Sequence, residues 1–484
     1  MQHNLTKYYP LLLVLVAVGT VALFGHGTLS LRGAGHFKGR NIPDSSSVEM
    51  VQFAAANRFA SGQGLALTGD MAQFPETVAC KSGMVPAYSP AYIALLSIPA
   101  RWADRLTPKP DEIRVSSQLE AEKANWEREY LNYTRRYKLT VIFFQGPFLV
   151  LLLLFFYAAS HRVLPDPASR LWLTLGLCFG TLAYPFALTV NPIFPAAVLL
   201  LCGFHYLLNF SEKPEVSDGV AAGLFIGAAF FLNHLAYIPA VVMIVAVAIK
   251  LREPERLLPI IGGLVPGVAV FIIAHILVFG DPLPAIYHRG GAQSGMLVIW
   301  KHLIWSILGY NGALWMAPAT AFALVYALAS GKGNGGLRTL SLALGIAACL
   351  LLLAAALEDV YTFAPLVDPS NDKSFEDVYS AERAASPQLE VNVVGFPMSV
   401  KFHTMIFGGE ALALMGPSLF LLFGGVFGKR GYWGGIGSVL LRIGIFIGVF
   451  AAFGPFGGRI FPLIENIHLF AYEIALRIPR EAIF

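Results

Sequence analysis

Long apolar runs alternate with polar breaks along almost the whole chain. A helix needs about 20 apolar residues to cross a hydrocarbon core. Runs of that kind fall near 9–25, 139–158, 170–189, 192–209, 218–234, 236–250, 257–279, 312–330, 338–357, 406–427 and 435–454. The pattern predicts an all-α integral membrane protein with about eleven transmembrane helices. Two neighbouring pairs are divided only by a polar or proline-bearing hinge, at Asn191-Pro192 and Asn233-His234. The run after Lys7 reads as an uncleaved first span, because no small-x-small cleavage site follows it.

Three polar interruptions are long: 26–138, 280–311 and 358–405. Within the first, Val48 to Phe59 reads as a short helix carrying Val48, Val51, Phe53 and Ala55. Pro90 to Trp102 is apolar but too short to span. Both suit helices lying in the interface. From Asp111 to Lys138, Glu and Arg alternate with Trp126, Tyr130 and Tyr133, the pattern of a solvated helix leading into the next span. One polytopic domain is expected over 1–454. In the tail, 455–484, the stretch from Ile460 to Ile478 reads as another interfacial helix, since Glu465 and Glu473 are costly inside lipid.

Composition agrees with the pattern. The 484 residues are 56% hydrophobic and 13% charged, against about 25% charged for a soluble domain. The net charge of +4 matters less than its placement. With the N-terminus inside, short inner loops hold Arg162, Arg170, Lys213, Lys250, Arg252, Arg256, Lys332, Arg338, Lys429 and Arg430, while the hinges at Asn191 and Asn233 hold no Lys or Arg. That asymmetry predicts a multi-pass protein of the plasma (inner) membrane, with a cytoplasmic N-terminus and extracytoplasmic long loops. No basic stripe points to nucleic acid. The four cysteines form no metal-ligand spacing and no disulfide framework.

Several short motifs carry a resemblance. Asp44-Ser45-Ser46-Ser47 is followed by Ala54-Ala55-Ala56 and Gly62, then by Ser89-Pro90-Ala91-Tyr92 and Leu95-Leu96-Ser97-Ile98-Pro99. Further on come Gly180-Thr181-Leu182-Ala183-Tyr184-Pro185, Phe279-Gly280-Asp281-Pro282 through Tyr287, and Leu308-Gly309-Tyr310-Asn311-Gly312-Ala313-Leu314-Trp315 with Pro318. In this order, over roughly residues 9–330, they resemble the GT-C superfamily of polytopic glycosyltransferases, in its bacterial branch. The resemblance implies a sugar donor carried on a polyprenyl phosphate, and a glycan, lipid or protein acceptor. It also implies inversion at the anomeric carbon and an acidic base early in the first outer loop, the position of Asp44. No metal and no cofactor are expected. The final third departs from the family pattern, lacking an aromatic- and Arg-rich block near 360–400.

The chemistry needs a carboxylate to take a proton from the acceptor hydroxyl and donors to receive charge on the leaving phosphate. Asp44 before three serines also reads as a helix cap; spacing alone favours the cap, and the resemblance tips the balance toward catalysis. Glu49, about one turn on, is the second candidate base, and Asp70, in a Gly/Thr turn, the third. For the phosphate, His288, Arg289, Lys301 and His302 stand in the second outer loop, with Tyr287 beside them and Arg58 on the first-loop helix. Guanidinium suits phosphate geometry, although juxtamembrane cations also simply meet lipid headgroups. Asn233 and His234 read as a hairpin tip at the surface. Two other functions compete: a lipid or solute transporter, and a non-catalytic subunit on the same scaffold. A transporter would carry broken helices and ionisable residues at the bilayer midplane, and the spans are nearly free of mid-run charge.

Overall fold

In hydrocarbon a backbone must satisfy its own hydrogen bonds, so long apolar runs become helices. A computed structural model describes residues 6–24, 47–68, 77–107, 118–181, 183–284, 318–329, 336–363, 409–427 and 439. They are mostly helical. In chain order the helices are α1 (Tyr9–Phe24), α2 (Ser47–Ala60), α3 (Pro90–Leu106), α4 (Gln118–Ala159), α5 (Pro167–Gly180), α6 (Ala183–Ala187), α7 (Ile193–Glu212), α8 (Val216–Leu232), α9 (Tyr237–Leu251), α10 (Leu258–Phe279), α11 (Pro318–Ala329), α12 (Gly336–Phe363) and α13 (Gly409–Phe427). A hairpin, β1 (Thr77–Cys80) with β2 (Gly83–Pro86), pairs Thr77 with Pro86 and Cys80 with Gly83 in antiparallel register.

Four stretches are long and apolar enough to cross a membrane: Arg135–Arg162, Ile193–Glu212, His234–Leu251 and Pro254–Phe279. Shorter apolar helices occupy Thr6–Ala22, Val216–Leu232, Leu340–Ala354 and Ala413–Gly424. The described residues thus carry four full-length candidates where the pattern predicts eleven; the run at 435–454 lies outside them except for Val439. Helix α7 is the most enclosed of the four and packs against α4, α8, α9, α12 and α13, while α10 is the least enclosed.

The tightest seam joins α8 to α10. Gly219, Gly223 and Gly227 recur every fourth residue on α8, opposite Pro259, Gly263 and Gly267 on α10. A Cβ at Gly223 would stand 2.0 Å from the Ile260 carbonyl oxygen, and one at Gly267 2.2 Å from the Gly227 carbonyl. Small residues at this spacing let two backbones touch, which is how apolar helices gain packing where no hydrophobic drive separates them from lipid.

The bundle has two distinct ends. At one, Arg162 pairs with Glu212 at 2.9 Å and also meets Asn209. Lys250 donates to the Ser211 hydroxyl at 3.1 Å, and Arg170 lies 4.8 Å from the centre of the Tyr157 ring. At the other end stand α2, α3, the start of the spanning part of α4, and the turns at Asn191 and Asn233.

Three expectations change. The run at 170–189 is not one helix but α5 and α6, broken at Thr181, which takes an extended conformation. There the Thr181 hydroxyl donates to the Leu177 carbonyl at 2.7 Å and accepts from Ala183 N–H at 3.1 Å, replacing backbone bonds. Pro185, four residues on, has no N–H to return to the Thr181 carbonyl. Asn233 is not at an exposed tip: it is 8% exposed, and its side-chain oxygen accepts from Leu235 N–H at 2.9 Å. The start of α3 covers this turn, with the Ser89 hydroxyl donating to the Phe231 carbonyl at 2.9 Å. The first loop also carries the β1–β2 hairpin, extended by Leu67, whose N–H donates to the Met84 carbonyl at 2.7 Å. The helix expected at Val48 to Phe59 is α2, with Val51, Phe53, Ala55 and Ala56 buried. The helix expected to lead into the second span is the first part of α4, continuous from Gln118 over 42 residues.

Candidate functional site

Helix α2 begins at Ser47, three residues after Asp44. Its apolar face is held against the bundle by aromatic and amide contacts. The Phe53 ring meets Tyr137 of α4 edge-on, with centroids 5.3 Å apart. The Tyr92 hydroxyl of α3 donates to Gln52 Oε1 at 3.1 Å, and the Tyr92 ring meets Phe144 of α4 at 5.8 Å. Both Gln52 and Tyr92 are wholly buried, so this bond is shielded from water. Gln52 Nε2 is buried with no hydrogen-bond partner.

Beneath this platform the buried turn between α6 and α7 is held by side chains. Gln145 Nε2 donates to the carbonyls of Thr189 and Asn191, at 2.8 and 2.9 Å. Asn191 Nδ2 donates to the Phe186 carbonyl at 2.6 Å and to the Thr189 carbonyl at 3.0 Å, while Asn191 Oδ1 accepts from Phe194 N–H at 2.9 Å. Val190 N–H donates to the Tyr137 hydroxyl at 3.0 Å. Irregular backbone at this depth persists only when such partners replace the missing helical bonds. Gln145 Oε1 is left buried without a partner.

The proposed reacting residues fare differently. Asp44, Tyr287, His288, Arg289, Lys301 and His302 lie outside the described residues, as does Asp70. Glu49 falls in the first turn of α2 and Arg58 in its last. Nine residues at the helical rise separate their backbones by about 13 Å. Arg58 is half-buried, donates from Nη1 to the Thr68 hydroxyl at 3.3 Å, and leaves Nε without a partner. Among the described residues no three of His, Cys, Asp or Glu gather as a metal site.

Three quoted motifs act as helix punctuation. Ser89 caps α3 and Pro90 takes its first position, where a missing N–H costs nothing. Gly180 to Pro185 spans the break between α5 and α6. Gly280 ends α10 in the left-handed conformation at φ 90°, and Asp281 Oδ1 accepts from Leu283 N–H at 2.8 Å. Gln52, Gln145 and Asn191 were not singled out as functional from the sequence; amides interrupting apolar stretches are the signal that marks Gln145 and Asn191. Searches against protein-family models, curated proteins and solved structures found no match to this chain.

Proposed function

We propose that the protein is a membrane glycosyltransferase of GT-C type, transferring sugar from a polyprenyl-phosphate donor to a glycan, lipid or protein hydroxyl. The observation that carries this reading is the docking of α2. The helix that directly follows Asp44 is anchored to the bundle end by Phe53, Gln52 and Tyr92. A carboxylate just ahead of a fixed helix start is suited to act as a positioned base. In this reading Asp44 takes the acceptor's hydroxyl proton and the freed oxygen attacks the anomeric carbon. The bond to the phosphate breaks with its electron pair, and polyprenyl phosphate leaves. Arg58, with Arg289, His288, Lys301, His302 and Tyr287, supplies donors to that phosphate, and Glu49 is the second candidate base. The eleven-span topology, with the N-terminus in the cytoplasm of a plasma (inner) membrane, belongs to the same proposal. It is supported by the gathering of Arg162, Arg170 and Lys250 at the bundle end opposite α2.

The test is transfer of radiolabelled sugar from polyprenyl-phosphate donors by the purified protein in lipid. Asp44→Asn should lower kcat by at least about a hundredfold, the ordinary contribution of a general base. Unaltered turnover would dismiss Asp44, and loss confined to Glu49→Gln would move the base there. A second reading as a transporter draws on the broken α5–α6 segment, since interrupted helices at membrane depth mark transport sites. Uptake of a labelled lipid-linked sugar into vesicles without chemical transfer would favour it.

A further inference from the structure

Helix α4 serves as a ruler for depth. Phe143 stands nineteen residues from Arg162, about 29 Å at the helical rise, and a hydrocarbon core is about 30 Å thick. Phe143 therefore marks the far edge of the apolar layer when Arg162 marks the near one. Trp102 of α3 meets Phe143 edge-on, with centroids 6.2 Å apart. Two residues later Asp104 pairs at 3.2 Å with Arg136. Arg136 lies seven residues further out along α4, about 10 Å, close to the diameter of one helix.

Residues two apart on a helix point to nearly opposite sides. The two contacts therefore fix the roll of α3: Trp102 toward the apolar layer, Asp104 toward water. Its other end is pinned by Ser89 to the Phe231 carbonyl, at the last turn of α8. Helix α3 thus lies across the end of the bundle. On its Trp102 side Ile98, Trp102 and Leu106 recur every fourth residue and are 49, 53 and 61% exposed. On the flank between Trp102 and Asp104 stand Arg101 and Arg105, also four apart, both exposed and neither with a polar partner among the described residues.

We propose that α3 is a lipid-binding face. Ile98, Trp102 and Leu106 insert at the acyl boundary of the bilayer, and Arg101 and Arg105 together hold the phosphate groups of anionic phospholipids. Trp prefers this depth because its ring is apolar and its N–H polar. Two guanidiniums one turn apart, without polar partners among the described residues, offer forked donors to phosphate oxygens. The inference is independent of glycosyl transfer and stands or falls without it.

The test uses the full chain in bilayer discs of phosphatidylcholine, with or without phosphatidylglycerol. Retention of phosphatidylglycerol through extraction should fall about fivefold for each Arg removed, so Arg101→Gln with Arg105→Gln abolishes the preference. Melting in detergent should be unchanged, because both side chains are exposed. In a background with the four native cysteines replaced by alanine, nitroxides are placed at Ile98→Cys, Trp102→Cys and Asp104→Cys. The first two should be relaxed by oxygen and the third by a water-soluble nickel chelate. Equal relaxation at positions 98, 102 and 104 overturns the orientation. Undiminished phosphatidylglycerol retention by the double variant overturns the headgroup site. So does selective retention of a polyprenyl phosphate in its place.

Discussion

Helices α8 and α10 meet through bare backbone, whereas α2 and α3 meet the bundle through rings, hydroxyls and amides. Both interfaces are buried, and both join segments remote in sequence. In the first, glycine at 219, 223 and 227 removes side chains until the carbonyls of one helix touch the other. In the second, Tyr92, Gln52, Ser89 and Tyr137 supply polar atoms that bond backbone and side-chain groups across element ends, Gln52 Nε2 alone of theirs staying unbonded. The contrast follows the local solvent. In the middle of a span every backbone group is already bonded within its helix, and only shape is left to optimise. Where helices stop, carbonyls and N–H groups are orphaned, and side chains must supply their partners.

The most damaging way to break the contrast is to give the glycine seam a side chain. Gly223→Ala or Gly267→Ala sets a methyl against backbone that cannot swing aside, at 2.0 and 2.2 Å from the nearest atoms. Overpacking of this kind costs about 1–3 kcal/mol, and the loss belongs at the top of that range. Gly262 is the control: it shares α10 with Gly267, yet nothing lies within 4 Å of its would-be Cβ. Gly262→Ala should be neutral or stabilise by up to about 1 kcal/mol. Thermal melts of the three proteins in one detergent decide it. Equal melting temperatures would show that the seam tolerates side chains.

At the polar interface the next effect comes from Asn191. Asn191→Ala leaves Phe194 N–H without its acceptor and removes one donor each from the Phe186 and Thr189 carbonyls, the latter keeping Gln145, and should cost about 1–3 kcal/mol. A finer probe is the Gln52–Tyr92 pair. Tyr92→Phe leaves a wholly buried amide with neither end bonded and should destabilise by about 1–3 kcal/mol. Gln52→Leu with Tyr92→Phe removes both partners, along with an Nε2 that had none, and should recover much of that loss. Strict additivity in that cycle would mean the bond contributes nothing.

How much of this was legible follows the same division. The stop at Gly280 and the start at Ser89-Pro90 can be read from residue type, because caps depend on local conformation. The break at Thr181 is marked only by Gly180 and Pro185 around it. The run at 170–189 stays apolar enough to count as one span, and hydropathy does not register a hydroxyl standing in for a backbone bond. Asn233 has the sequence pattern of a surface tip because what covers it comes from Ser89, 142 residues before the Phe231 carbonyl it bonds. The Gln52–Tyr92 bond spans 40 residues and leaves no local periodicity. The eight paired residues of the hairpin at Thr77–Pro86 are too few for alternation to stand out. Of the proposed reacting residues, Arg58 is described with its contacts and Glu49 by its place on α2; Asp44 is proposed from the family resemblance and the second-loop cations from the chemistry of phosphate binding.

The smallest expected effect sharpens the contrast by placing the same kind of polar bond in water. Asp166 caps α5 at the cationic end, its carboxylate accepting from the Ser169 hydroxyl at 2.7 Å and from Ser169 N–H at 2.8 Å. Those two bonds, the hydroxyl first, hold its pKa below the ordinary 3.8. A carboxyl with a depressed folded pKa stabilises fully above the unfolded value, and that contribution disappears as pH falls through the folded one. Stability from this cap is therefore constant across neutral pH and declines only below about 4. Asp166→Ala should cost about 1 kcal/mol or less at pH 7, and the parent–variant difference should narrow in acid, to what the protonated carboxyl's remaining acceptor oxygen contributes. Asp166→Asn, which keeps an acceptor but cannot titrate, should hold most of the stability with no such acid loss. A variant gap as large as that of Tyr92→Phe would mean that burial is not what separates the polar bonds at the two ends of the bundle.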